Sequence, residues 1–260
     1  MFNRFYNQYK PFILILFTAV CLVSCEQEPD LQFTQKSYST ASLEACNTER
    51  CPKIDVQTII AQGEKKLVNT INDTLNKNLI YTMSMSPDDE KNITNVDEGI
   101  ALIIANFRDF KADFPESAAD YEIKVSTSIS AETNNLVSIA VDSYTYWGGA
   151  HGYGSVSYFN FDKNSGEYLT PQQLISNKPE ILKEAEVRFR KQQKISPSGN
   201  INSTGYFFED DKFVLPQGIG FDEQNLILQY NPYEVAAYSV GQITIKIPLE
   251  EVKDYLSIDL

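Results

Sequence analysis

One histidine, one tryptophan and four cysteines are the whole supply of those residues in 260 positions. With His151 as the only imidazole, any Ser-His-Asp or Cys-His mechanism has a single place to run, and a Cys/His zinc set cannot be completed without carboxylates. No G-x-x-x-x-G-K-[ST] loop occurs, and GYGSVS and GIGFDE both lack the third glycine and the strand-to-helix setting of a dinucleotide site. A G-x-S-x-G nucleophile elbow is likewise missing. The run DKNSGE opens like a calcium loop with Asp162 and Asn164. Gly166 and Gln173 stand where that loop needs an oxygen ligand and a bidentate Glu, so the run reads as a hairpin turn. The acidic runs PDDE (87–90) and EDD (209–211) read as solvated loops. From these patterns no metal, no cofactor and no catalytic residue is expected.

Positive charge is scarce too: 22 Lys and Arg stand against 35 Asp and Glu, a net of -13. Such a field repels phosphate backbones at long range, which argues against a nucleic-acid partner and would steer a basic protein inward. Long apolar runs are absent except near the start, where FILILFTAVCLV covers 12–23 with Thr18 as its only polar residue. That is about half of the roughly 20 residues a spanning helix needs, and with Arg4 and Lys10 before it the segment reads as a signal-peptide core. Leu22-Val23-Ser24-Cys25 follows and resembles the lipobox of bacterial lipoproteins, in which the cysteine is acylated and becomes the new N-terminus. The chain is therefore read as a lipoprotein of the bacterial cell envelope, facing the periplasm or the surface, held on the membrane through Cys25 after residues 1–24 are removed. Their loss takes away Arg4 and Lys10 and no acid, which moves the net charge from -13 to -15.

Cys21 leaves with the leader and Cys25 carries lipid, so Cys46 and Cys51 remain. In an oxidising envelope this pair reads as a small disulfide loop, worth about 2 kcal/mol in the chain-entropy account. Residues 25–50 are mostly polar and without period, and read as a flexible tether, with the folded part beginning near Cys51.

Beyond the tether the patterns alternate between helix and strand. KIDVQTI reads as a strand. Leu67, Ile71, Leu75 and Leu79 recur at helical spacing between Glu64 and Met83, and Val96, Ile100, Ile103 and Phe107 do so behind the candidate caps Thr94 and Asn95. Period-two runs follow from Tyr121 to Ile129 and from Val137 to Thr145, joined by the turn AETNN, and read as a hairpin. GSVSYFNFD reads as a strand, Thr170-Pro171 as a helix start, 179–193 as a charged helix lying on a sheet, and QITIKI as a last strand. The expected class is α+β, with antiparallel sheets, helices packed on one face and two similar-sized halves.

The stretch YTYWGGAHGYG (144–154) holds the only Trp, the only His and four of the twelve glycines. Tyr144, Tyr146, Trp147, His151 and Tyr153 are the candidate binding residues, since rigid aromatic rings give large contact area with few rotamers to freeze. The same rings also suit core or hairpin packing, and the glycines suit a tight corner where chains approach closely. A different class stays open: a hydrolase using His151 with a nearby carboxylate.

YWGGAHG, NFDKNSGEYLT and LILQYNPYEVAAYSVGQITIKIPLEEVKDYL, in this order, resemble the extracytoplasmic domain of RsiV-type lysozyme-sensing anti-sigma factors. The stretch from Cys51 to Gly152, with its C-P-x-I-x-V start, resembles the domain ahead of the catalytic domain in PdaC-type peptidoglycan deacetylases. The resemblance implies a PdaC-like α+β domain over 51–152 and an RsiV-type one over 153–260. Neither a deacetylase domain nor a cytoplasmic sigma-binding segment is legible beside them. What it implies for function is a binding or sensing module of the envelope without catalysis, with lysozyme or peptidoglycan as candidate ligands.

Overall fold

The computed structural model of the chain describes residues 30–260, so the leader at 1–24 and the lipidation site Cys25 lie outside the described residues. In chain order the first elements are β1 (Gln32–Ser39), α1 (Ala45–Thr48), β2 (Lys53–Gln62), α2 (Lys65–Met83), α3 (Asp89–Asn92), α4 (Val96–Asp113), β3 (Tyr121–Glu132), β4 (Leu136–Trp147), β5 (Tyr153–Asp162) and β6 (Glu167–Leu169). All six strands lie side by side in one sheet, in the order of the chain. Its neighbours are antiparallel except β2 and β3, whose parallel pairing demands the long crossover that α2, α3 and α4 fill.

The helices form for local reasons and stay because they bury a stripe. The Glu64 carboxylate caps α2 by accepting from the backbone N of Lys66 (2.8 Å) and Leu67 (2.7 Å), and Asn95 caps α4 by accepting from the N of Glu98 (3.0 Å). Leu67, Ile71, Leu75 and Leu79 of α2 and Val96, Ile100, Ile103 and Phe107 of α4 pack on Val56, Ile123, Val125, Ile139 and Val141 of the sheet. Gly99 has a packing reason: a Cβ there would stand 2.9 Å from the sulfur of Met83, so its lack of side chain lets α4 settle against α2.

The remaining elements are α5 (Pro171–Leu174), α6 (Lys178–Gln192), β7 (Gly218–Phe221), β8 (Asn225–Tyr230), β9 (Ile243–Pro248) and α7 (Leu249–Val252). A Thr170–Gln173 capping box with Pro171 in the first turn starts α5. β7, β8 and β9 form an antiparallel meander. Against it α6 lays Ile181, Ala185 and Phe189, and Phe189 meets Tyr206, Phe208, Phe213 and Tyr230 within 5.1–5.7 Å. The class is α+β as expected, with helices on one face of each sheet.

Two expectations are corrected. The tether does not run to residue 50: Gln32–Ser39 pairs antiparallel with Asp55–Gln62 of β2. An edge strand needs its neighbour's backbone far more than apolar side chains, and β1 is mostly exposed, with Leu31, Phe33 and Tyr38 touching the core. Thr40 then locks it, donating to Pro52 O (2.8 Å) and accepting from Ile54 N (3.0 Å). The boundary at 152/153 also fails as a division of sheets, because it cuts the β4–β5 hairpin. Hydrogen bonding keeps 153–169 in the first sheet.

The back of the first sheet meets the free edge of β7. Ser138 and Asn160 are 0% and 1% exposed; Ser138 Oγ accepts from Phe221 N (3.2 Å) and Asn160 Nδ2 donates to Ile219 O (2.7 Å). Gly220 sits between those two bonds, under the ring of Tyr158. Replacing it by Ala would put a methyl 2.0 Å from Tyr158 Cδ1 and 2.7 Å from its Cβ, where the ring cannot simply swing away. We expect Gly220→Ala to destabilise by about 1–3 kcal/mol or more, read as a lowered midpoint in calorimetry. Gly149→Ala, which meets nothing within 4 Å, is the control and should leave the midpoint in place.

Candidate functional site

The β4–β5 hairpin ends with Thr145 opposite Tyr153, and residues 148–152 turn the corner between them. Two glycines are required there. Gly148 adopts φ 78° with Ala119 close behind it, and buried Gly152 lies directly beneath the Tyr144 ring, whose atoms would be 2.3 Å from a Cβ. Tyr146 closes the turn from above by donating from its hydroxyl to Gly149 O (3.0 Å).

The second half brings the loop 231–238 to this corner. Asn231 lies beside β5 like the rung of a missing strand: its Oδ1 accepts from Val156 N (2.9 Å) and its Nδ2 donates to Val156 O (3.0 Å). Glu234 N closes a turn on Asn231 O (3.1 Å), while the Glu234 carboxylate accepts from Asn231 N (3.0 Å) and Gln217 N (2.8 Å). Inside that turn Tyr233 takes φ 70°, the left-handed region that a bulky residue enters at a cost of about 1–3 kcal/mol. Its ring is 53% exposed.

His151 sits where these parts meet. It is exposed, and its ring stacks on Tyr238 with centroids 4.0 Å apart and planes at 20°. Nδ1 faces Gly152 O at 2.9 Å and Nε2 faces the Tyr233 hydroxyl at 3.4 Å. A carbonyl can only accept, so Nδ1 carries a proton toward Gly152 O, and Nε2 lies beside the phenol. Tyr238 donates to the same Gly152 O (2.7 Å), and Tyr153 donates to Pro232 O (3.4 Å). Among the described residues neither imidazole nitrogen has a carboxylate, hydroxymethyl or thiol partner. As a chemical device the corner offers stacked rings and phenols.

The five predicted residues do not form one patch. Strand alternation puts Tyr144 and Tyr146 on the sheet face away from the helices and Trp147 on the helix side, edge-on to Tyr121 at 5.6 Å. Trp147 and Tyr153 line a groove of about 370 Å3 with Tyr81, Met85 and Glu90. His151 and Tyr153 instead join Tyr233 and Tyr238, which are not among the predicted residues. The only local hint was Asn-Pro-Tyr-Glu as a turn; that it docks against residues some 80 positions earlier is a fact of topology.

Cys46 and Cys51 are bonded, with Cα atoms 5.4 Å apart. The loop is held to α4 by Arg108, whose Nη2 reaches Ala45 O at 3.1 Å and Glu49 at 2.8 Å. No group of three or more His, Cys, Asp or Glu side chains suited to hold a metal occurs among the described residues, and no described helix is long and apolar enough to cross a membrane.

Residues 45–153 match the family model described as Deacetylase PdaC, and residues 169–250 match the one described as Protein of unknown function (DUF3298). Two crystal structures of DUF3298 family members share the fold. One, from Bacteroides fragilis NCTC 9343, has a TM-score of 0.64 at 17% identity over 88% of this chain and 95% of that one. The other, from Pseudomonas aeruginosa PAO1, has a TM-score of 0.55 at 16% identity over 87% and 93%. At such identities the likeness is one of fold. No curated protein matches the chain. The first part thus matches the PdaC-type model and the later part the model of unknown function.

Asn231 is the joint on which the corner depends. Asn231→Ala leaves both polar groups of Val156 without their partner, and we expect a loss of about 1–3 kcal/mol. Amide exchange at Val156 should accelerate ahead of global unfolding, which hydrogen-exchange spectroscopy would detect; unchanged protection there would remove the role assigned to this residue.

Proposed function

We propose that this chain is a lipid-anchored binding or sensing module of the bacterial cell envelope that does no bond-breaking of its own, with lysozyme or peptidoglycan as candidate ligands. One observation carries the reading: an exposed cluster of rings, drawn from both halves, is held at the corner at an energetic cost. Tyr233 is kept in left-handed backbone by a turn that Asn231 and Glu234 close on each other, and strain of that kind persists where the surroundings enforce it.

The remaining support is of three kinds. The matched domains are of a PdaC type and of unknown function, the former named for a deacetylase. The net charge of -13 favours a basic protein partner such as lysozyme. The His151 nitrogens face a carbonyl and a phenol, an arrangement suited to fixing a turn and its rings.

Two outcomes test the reading. Cys25→Ser should shift the protein from the membrane and detergent-rich fractions to the aqueous one; a variant that fractionates like the wild type would end the anchor assignment. The anchored protein should be retained by immobilised lysozyme or by purified peptidoglycan sacculi, and Tyr233→Ala should weaken that retention about tenfold or more, as loss of an aromatic hot spot does. Retention by neither would dismiss both ligands, and hydrolysis of sacculi that disappears in His151→Ala would overturn the non-catalytic reading.

A further inference from the structure

The helix-bearing face of the first sheet changes character along its length. Where α2 and α4 cover it, the residues are Val137, Ile139 and Val141 on β4, opposite Phe161 and Phe159 on β5. Further along the same face β4 presents Ser143, Thr145 and Trp147, and β5 presents Ser155 and Tyr153. The pairing is unbroken, so hydroxyls occupy positions where packing elsewhere takes hydrocarbon. Above this point α2 ends at Met83, and its last turn and the segment after it wall the space with Tyr81, Met85 and Glu90. The groove of about 370 Å3 lies within the roughly 300–1,000 Å3 of small-molecule sites.

We infer that this groove binds a neutral saccharide chain; the inference rests on the envelope-binding reading and names a ligand class for it. Pyranose rings present C–H faces and hydroxyl edges together. Trp147, Tyr153 and Tyr81 give flat apolar surface for the first, and Tyr81 is 67% exposed at the end of its helix with nothing yet covering it. Ser143, Thr145 and Ser155 match the second, since a hydroxyl both donates and accepts. Ser143 and Ser155 are already joined at 2.9 Å, which fixes their orientation and leaves further bonding capacity on each. No lysine or arginine lines the groove and Glu90 does, so phosphates and other anions are disfavoured. An extended peptide is disfavoured for a different reason: the floor is a sheet face, while strand addition needs an edge, and the open edge of β5 beside it is already taken at Val156 by Asn231.

The single tryptophan makes the test direct, because all indole emission comes from Trp147. The full processed chain in detergent is titrated with an N-acetylglucosamine trimer and, separately, with maltotriose at millimolar concentrations. A saturable change in emission with at least one of them is expected, and Tyr81→Ala, a site exposed enough to leave the fold intact, should weaken it about tenfold or more. Thr145→Val keeps the shape of the groove and should also weaken it. No change with either sugar, or a change undiminished in Tyr81→Ala, overturns the inference. If both sugars fail while lysozyme or sacculi still retain the chain, the groove assignment falls and the envelope-binding reading stands; if every ligand fails, both fall.

Discussion

Side chains standing in for absent strands hold the two sheets together. β7 has a partner on one side only, and its outward Phe221 N and Ile219 O are taken by Ser138 and Asn160 from the first sheet. β5 is open along its first half, and Val156 is taken on both polar groups by Asn231 from the second. An unsatisfied buried backbone group costs about 1–3 kcal/mol, so each half supplies what the other's edge would otherwise lack. The exchange also fixes distance: the chains approach closely enough that position 220 admits only glycine beneath Tyr158.

The aromatic corner is a consequence of that exchange. Once Asn231 is fixed on β5, the turn after it has nowhere to go but across the end of the hairpin, and Tyr233 and Tyr238 arrive over His151. The imidazole is then held by stacking and by two neutral partners, with its proton placed by a carbonyl. A ligand resting on these rings would touch residues from both halves at once, so its contact energy would depend on their relative placement, a physical basis for the sensing proposed above.

Much of this fold is legible in the sequence because burial imposes period. The stripes of α2 and α4, the cap at Asn95, the β3–β4 alternation and the Thr170-Pro171 start of α5 all correspond to elements at nearly the residues read from pattern. β1 is hidden for the opposite reason. Exposed on most positions, it carries no alternation, and its stability comes from the backbone of β2, which composition does not record. The site is half legible. Glycines, Trp147 and His151 advertise a corner, but strand alternation divides Tyr144 and Tyr146 from Trp147, and the partners Asn231, Tyr233 and Tyr238 are joined to it only by long-range topology.

The position of the whole site traces back to one strand that stops early. β6 is three residues long and pairs only with Asn160–Asp162, because Thr170 and Pro171 turn the chain into α5: the capping box consumes the backbone donor of Thr170, and proline has none to give. A longer β6 would have covered Val156 and left Asn231 no edge to bind. On the other face α2 ends at Met83, short of Ser143 and Thr145, so the same end of the β4–β5 hairpin is uncovered on its edge and on its helix side. Two terminations, one written in a Thr-Pro pair and one in the end of an apolar stripe, leave this end of the hairpin uncovered. The rings and hydroxyls gather there because packing makes no other demand on those positions.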